Sequence, residues 1–196
     1  MKALVAFSAI LFTIAPCLPA QSNRAEVFGG YSYAKINPEA SSKQNAHGWM
    51  GGAGGYMNKW LGAGFEVAAQ FGNIPAPGGA PDLGFKEYSY MAGPQLRFLN
   101  TKKAQAGVKI LLGGVFGQVR VADSTTPAQA QAIGAAGLGN FDSTKFAMML
   151  GFPVDVTVTR VLGIRFEPGL YRTSFVNEHQ SNFRFSVGPV FRFGSK

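Results

Sequence analysis

From Leu61 the odd positions read Leu61, Ala63, Phe65, Val67, Ala69 and Phe71, while the even positions read Gly62, Gly64, Glu66, Ala68, Gln70 and Gly72. A period of two belongs to a β-strand, whose successive side chains point to opposite faces. A helix would smear these residues around its whole circumference. The same pattern returns four more times. Tyr88, Tyr90, Ala92, Pro94, Leu96 and Phe98 oppose Glu87, Ser89, Met91, Gly93, Gln95 and Arg97. Phe146, Met148, Leu150, Phe152, Val154 and Val156 oppose Lys145, Ala147, Met149, Gly151, Pro153 and Asp155. Ile164, Phe166, Pro168 and Leu170 oppose Arg165, Glu167, Gly169 and Tyr171. Phe183, Phe185, Val187, Pro189, Phe191 and Phe193 oppose Arg184, Ser186, Gly188, Val190 and Arg192. Two N-terminal segments alternate more weakly because glycines blur their faces, and Ala106–Val119 is apolar on both faces apart from Lys109 and Gln118.

These segments predict eight strands, near 25–35, 48–57, 60–72, 86–98, 105–121, 144–158, 163–172 and 182–193. Their connections alternate short and long, which suits an up-and-down antiparallel barrel with tight turns at one end and long loops at the other. The third long connection, around "PAQAQAIGAAG", follows Thr126-Pro127 and predicts a short helix with a threonine cap. Four prolines, Pro94, Pro153, Pro168 and Pro189, fall inside expected strands. Each lacks a ladder donor, so some are expected to mark β-bulges.

The distribution of charge separates a membrane barrel from a soluble one. A soluble barrel carries apolar residues inside and charges outside. Here the charged faces are rich in glycine and small residues, which suit a crowded lumen, and the opposite faces carry Phe, Tyr, Leu and Val, which suit lipid. Aromatics near strand ends (Tyr31, Tyr33, Trp49, Trp60, Tyr88, Phe98, Phe193) suit interfacial girdles. The fold expected is therefore an all-β, eight-stranded transmembrane barrel. Its lumen would hold the acids Glu66, Glu87, Asp155 and Glu167 and the bases Arg97, Lys109, Lys145, Arg165, Arg184 and Arg192. Eight strands leave room only for side chains, so these charges are expected to pair with one another and not to line an open pore.

The net charge of +8 invites a nucleic-acid reading, but the only adjacent basic pair is Lys102-Lys103. Phosphate-gripping surfaces cluster their charge, so nucleic acid is not an expected partner. Met1-Lys2, the apolar run Ala3–Ala15 and "CLPA" predict a signal peptide over 1–20, leaving a barrel over 21–196. The only cysteine, Cys17, lies in that leader. With two histidines and no other cysteine, neither a metal site nor a cofactor is expected.

The chain's end, "SVGPVFRF", places Ser186, Gly188, Phe191 and Phe193 in the order polar, glycine, aromatic, aromatic. This resembles the C-terminal assembly signal of bacterial outer-membrane barrels, although Gly194-Ser195-Lys196 follows the last aromatic. With the leader and the alternating segments, the chain resembles the small OmpA-like and OmpX-like proteins of Gram-negative envelopes. That resemblance implies outer-membrane lipid, lipopolysaccharide and the barrel-assembly machinery as partners, and a monomer. It implies a structural, adhesive or surface-contact role through the long loops, with a narrow porin-like passage for small solutes as the alternative. "HQSN", His179 to Asn182, is similar to the His-x-Ser-Asn pattern of lipid A deacylases, with His179 as base and Ser181 as nucleophile. That family has its acid about a dozen residues after the serine, and here no Asp or Glu follows Ser181. The expectation is a non-enzyme with no catalytic residues.

Overall fold

The structure, a computed structural model, describes residues 24–36, 44–75, 82–121, 125–135, 140–173 and 180–194. The expected leader lies outside the described residues. The elements are β1 (Arg24–Ile36), β2 (Gln44–Tyr56), β3 (Leu61–Ile74), β4 (Leu83–Asn100), β5 (Ala104–Arg120), α1 (Pro127–Ala135), β6 (Phe141–Gly151), β7 (Val154–Thr157), β8 (Leu162–Thr173) and β9 (Gln180–Phe193).

Apart from β6 and β7, consecutive strands pair antiparallel, and β1 also pairs with β9, for example Ala25↔Phe193 and Lys35↔Phe183, so the sheet closes on itself. Strands β6 and β7 together form one stave. Both sit between β5 and β8 in a single continuous register, Lys109↔Gly151 leading into Ala106↔Val154. The interruption at Phe152-Pro153 is bridged by Gly107 N donating to Pro153 O (3.0 Å) and Phe152 N to Pro168 O (2.9 Å). The ring therefore has the expected eight staves.

The expected alternation is what the barrel displays. Tyr90, Leu96, Phe146, Phe166, Leu170 and Phe191 are exposed on the outer wall, while Glu66, Glu87, Arg97, Asp155, Arg165 and Arg184 are buried inside. Strand bounds differ at the loop end. Strand β2 begins at Gln44 rather than near 48, β4 at Leu83 rather than near 86, and β6 at Phe141 rather than near 144. There the ladder continues past the apolar belt, supported by polar cross-strand contacts. Tyr33 OH donates to Asn45 Oδ1 at 2.8 Å, and Tyr31 OH bonds to His47 Nδ1. A backbone ladder needs no hydrophobic alternation, so periodicity underestimates such extensions.

The expectation that strand prolines mark bulges is corrected. Pro94 pairs with Ala63, Pro168 with Phe185 and Pro189 with Ile164; pairing lapses at Gly93-Pro94 on the β5 side and at Gly188-Pro189 on the β1 side, but the register is the same beyond each gap. The register of the sixth stave is the same on both sides of Pro153. The register shift lies instead between Arg97 and Leu99 on β4. Magnitudes explain the choice. A lost ladder bond costs about 1 kcal/mol. A slip that turned a lumen arginine to lipid would cost ~2–4 kcal/mol at the midplane.

The short turns share one construction. Asn58 Oδ1 accepts from Trp60 N (2.9 Å) and Leu61 N (2.7 Å), Thr101 Oγ1 from Ala104 N (3.0 Å), and Thr159 Oγ1 from Leu162 N (3.1 Å). Side chains that bond their own backbone lock such turns. At the other end, α1 starts with the expected threonine. Thr126 N donates to Gln129 Oε1 (2.9 Å) while Gln129 N donates to Thr126 Oγ1 (3.4 Å), a reciprocal capping box.

Candidate functional site: an ion-filled lumen

The inward face of each strand carries its charges to the barrel axis, where they meet side chains from distant staves. Near the turn end, Glu26 of β1 accepts from Arg97 of β4 (3.2 Å) and Arg165 of β8 (2.9 Å). Arg165 also reaches Asp155 on the adjacent β7 (2.7 Å), and Asp155 takes a further bond from Arg192 of β9 (2.9 Å). One level higher, Lys109 of β5 lies between Glu66 of β3 (2.5 Å) and Glu167 of β8 (2.7 Å). Arg184 of β9 also pairs with Glu66, and its guanidinium lies 2.6 Å from Met149 Sδ.

Aromatic rings stack into this network. Arg97 lies over the Tyr56 ring at 3.7 Å, and Phe28 is flanked by Arg165 (4.5 Å) and Lys109 (5.0 Å). Such contacts strengthen when desolvated. A cluster of Met91, Leu111, Val115, Ala147, Met149 and Tyr171 packs inside one wall, and Phe28, Met50, Ala68 and Val190 inside another. The interior is thus a layered packing of ion pairs and apolar side chains.

Of the ten lumen residues expected from sequence, Arg97, Lys109, Asp155, Arg165, Glu167, Arg184, Arg192 and Glu66 join these two clusters. Glu87 is buried higher up, with Tyr171 and Arg184 as its electrostatic neighbours, and joins neither. Lys145 is only half-buried, toward the loop end, and stands apart from both clusters among the described residues. Glu26 was missed, although it is 2% exposed and bridges two arginines. Its signal was present: it shares the even parity of Phe28, Ser32 and Ala34, opposite Val27 and Tyr31. Glycines at Gly29 and Gly30 hid that parity. With Glu26 counted, the buried acids among the described residues, Glu26, Glu66, Glu87, Asp155 and Glu167, equal in number the buried bases Arg97, Lys109, Arg165, Arg184 and Arg192.

The residues of the C-terminal motif all lie on β9. Ser186 is buried in the lumen, and Phe191 and Phe193 are exposed on the outer wall. Gly188 lies against the β1 backbone at the β1–β9 seam. A Cβ there would sit 2.0 Å from Gly29 O and 2.6 Å from Gly30 Cα. His179 lies outside the described residues, so the geometry of the His179/Ser181 pair is not described. Among the described residues no group of three metal-capable side chains converges.

At the loop end, an open cleft of about 580 Å³ lies outside the wall between β2, β3 and β4, lined by His47, Phe71, Gly84 and Lys86 among others. Arg120 and Asp142 pair at 2.8 Å, both about half-exposed, at the foot of the third loop. The hydrogen bond from Arg120 holds the Asp142 carboxyl below its ordinary range.

No family model matches the chain, and no curated protein matches it. Its backbone is nevertheless similar to solved barrels. Neisserial surface protein A superposes with a TM-score of 0.65 at 16% identity, over 86% of this chain and 97% of that one. Ail, the attachment invasion locus protein of Yersinia pestis, superposes at 0.61 with 15% identity, over 87% of this chain and 99% of that one. The fold is that of a small outer-membrane barrel. Identities this low establish the shared outer-membrane barrel fold and nothing about shared ligands.

Proposed function

We propose that this protein is an integral outer-membrane barrel whose lumen is closed by ion pairs and whose long loops make surface contacts, in a structural and adhesive role. The observation that carries this is the cross-lumen network. Glu66, Lys109, Glu167 and Arg184 come from four different staves and meet on the axis. Eight strands hold little beyond their side chains. With the interior so filled, the loops are the part free to vary and to bind.

The membrane setting is supported by the outer wall. Trp49, Tyr90, Phe146, Leu170 and Phe193 are each about half-exposed or more, a continuous apolar surface that water would not favour. Lipid, lipopolysaccharide and the assembly machinery are accordingly the proposed partners of a monomeric barrel. The surface-contact reading is supported by the similarity to Ail, which has also been solved in complex with the heparin analogue sucrose octasulfate. An enzymatic role is not proposed: His179→Ala and Ser181→Ala are expected to leave lipid A acylation unchanged.

Planar-bilayer recording tests the closed lumen. The purified barrel is expected to give no steady conductance steps, and steps in the wild type would favour the small-solute pore. Replacing 37–43 and 174–179 with Gly/Ser segments is expected to abolish surface adhesion of expressing cells while the barrel still folds. Undiminished adhesion would contradict the loop reading.

A further inference from the structure

Among the described residues the fully buried charges balance, so the chain's net +8 lies outside that set. The connections at the two ends differ in character, although the strand ends beside the long loops also carry the exposed bases Lys35, Lys86, Arg120 and Arg172. The loop-end connections at 37–43, 75–82, 121–140 and 174–179 contain Glu39, Asp82, Asp123 and Glu178 against the single base Lys43. The turns at 57–60, 101–103 and 158–161 contain Lys59, Lys102, Lys103 and Arg160 and no acid.

These four bases are exposed, and they are held in one arc. Each follows a turn-locking residue: Asn58-Lys59, Thr101-Lys102-Lys103 and Thr159-Arg160. Backbone bonds then tie each turn to the next stave end. Arg97 N donates to Trp60 O (2.7 Å), Thr157 N to Lys103 O (2.9 Å) and Arg192 N to Val161 O (2.8 Å). Beside the bases stand exposed apolar side chains, Met57 and Trp60 on the first turn, Phe98 and Leu99 before the second, Val158 and Val161 on the third. A ring that is apolar at its flank and cationic at its tip matches the boundary between acyl chains and phosphate.

We infer that the short-turn end is a docking surface for anionic phospholipid headgroups, with Lys59, Lys102, Lys103 and Arg160 gathering phosphodiesters around the barrel's inner mouth. This rests on the membrane-inserted reading above. Charge complementarity selects this occupant, and a soluble polyanion would leave the apolar flank without a role. A base near an anionic surface is worth on the order of a fivefold preference at full contact. Four fixed bases are therefore expected to enrich anionic lipid at least about twofold locally.

The chain's two tryptophans report the two levels separately. Trp60 sits on the first turn, and Trp49 faces Ala69 of β3, about 30 Å of strand from Trp60. The folded barrel, carrying Trp49→Phe or Trp60→Phe, is placed in phosphatidylcholine vesicles containing a small fraction of brominated phosphatidylglycerol or brominated phosphatidylcholine. Trp60 is expected to be quenched at least about twofold more by the anionic lipid, and Trp49 about equally by both. The preference at Trp60 is expected to vanish in K59Q/K102Q/K103Q/R160Q and to fall at high salt. Equal quenching of Trp60 by both lipids, or a preference that survives the fourfold substitution, would overturn the inference. Sedimentation of the barrel with isolated peptidoglycan, alongside equal quenching, would assign the arc to the cell wall instead. Absence of quenching at both tryptophans by either lipid would mean that the barrel is not inserted, a separate failure.

Discussion

Glu66 shares its carboxylate between Lys109 and Arg184, so neutralising it leaves two buried cations with only Glu167 between them. Removing one partner from a buried ion network typically costs about 3–5 kcal/mol, because the remaining charge is desolvated and uncompensated. Glu66→Gln is therefore expected to lower the stability of the refolded barrel by roughly that amount, read from urea unfolding in vesicles. Lys145→Gln, half-buried and outside both clusters, is expected to stay within about 0.5 kcal/mol. Equal effects of the two would mean a wet, solvated lumen. Gly188 makes a second residue-scale case. Its Cβ would overlap the β1 backbone at 2.0 Å, so Gly188→Ala must part the seam that closes the ring. A cost of ~1–3 kcal/mol and a smaller heat-modifiable fraction on gels are expected. A Cβ at Gly55 would meet nothing within 4 Å, so Gly55→Ala is the matched control and is expected to be near neutral.

At the level of the strand, the sequence made inside and outside legible wherever large side chains alternate with charges, as in β4, where Tyr88, Tyr90 and Leu96 are exposed and Glu87, Gln95 and Arg97 are buried. It was weakest in β1 and β2, where glycine on both faces removes the contrast and Glu26 escaped notice. Register defects were not legible. A proline announces a missing donor, but an antiparallel residue points its donor at only one neighbour, and the barrel tolerates that loss while keeping every charge inside. The shift at Arg97–Leu99 has no proline or glycine on its own strand to announce it, and the only glycine beside it is Gly107, opposite Arg97 on β5. Pro94→Ala is therefore expected to keep the register and change stability by no more than ~1 kcal/mol. Altered solvent accessibility of the following Gln95 and Leu96, read by cysteine labelling at those positions, would contradict this. The exposed Arg120–Asp142 pair belongs to the same scale. Asp142→Asn is expected to leave the unfolding midpoint unchanged, because an exposed pair contributes little.

For the whole molecule, the arrangement divides labour by radius and by height. The outer wall supplies the hydrophobic surface, the balanced buried charges supply specificity of closure, and the short turns carry bases without acids. The overall architecture was readable from eight periodic segments because closure in lipid leaves few alternatives for strands apolar on one face. The partners were not readable, since the scaffold is reused and the loops lack recognisable motifs. The central claim is that the alternating face meets lipid in the outer membrane. It is tested most directly by fractionating expressing cells and running the protein on dodecyl-sulfate gels with and without boiling. The account predicts recovery in the outer-membrane fraction, with the unboiled protein migrating faster than the boiled form. Recovery as a soluble periplasmic protein, with the same mobility before and after boiling, would contradict it.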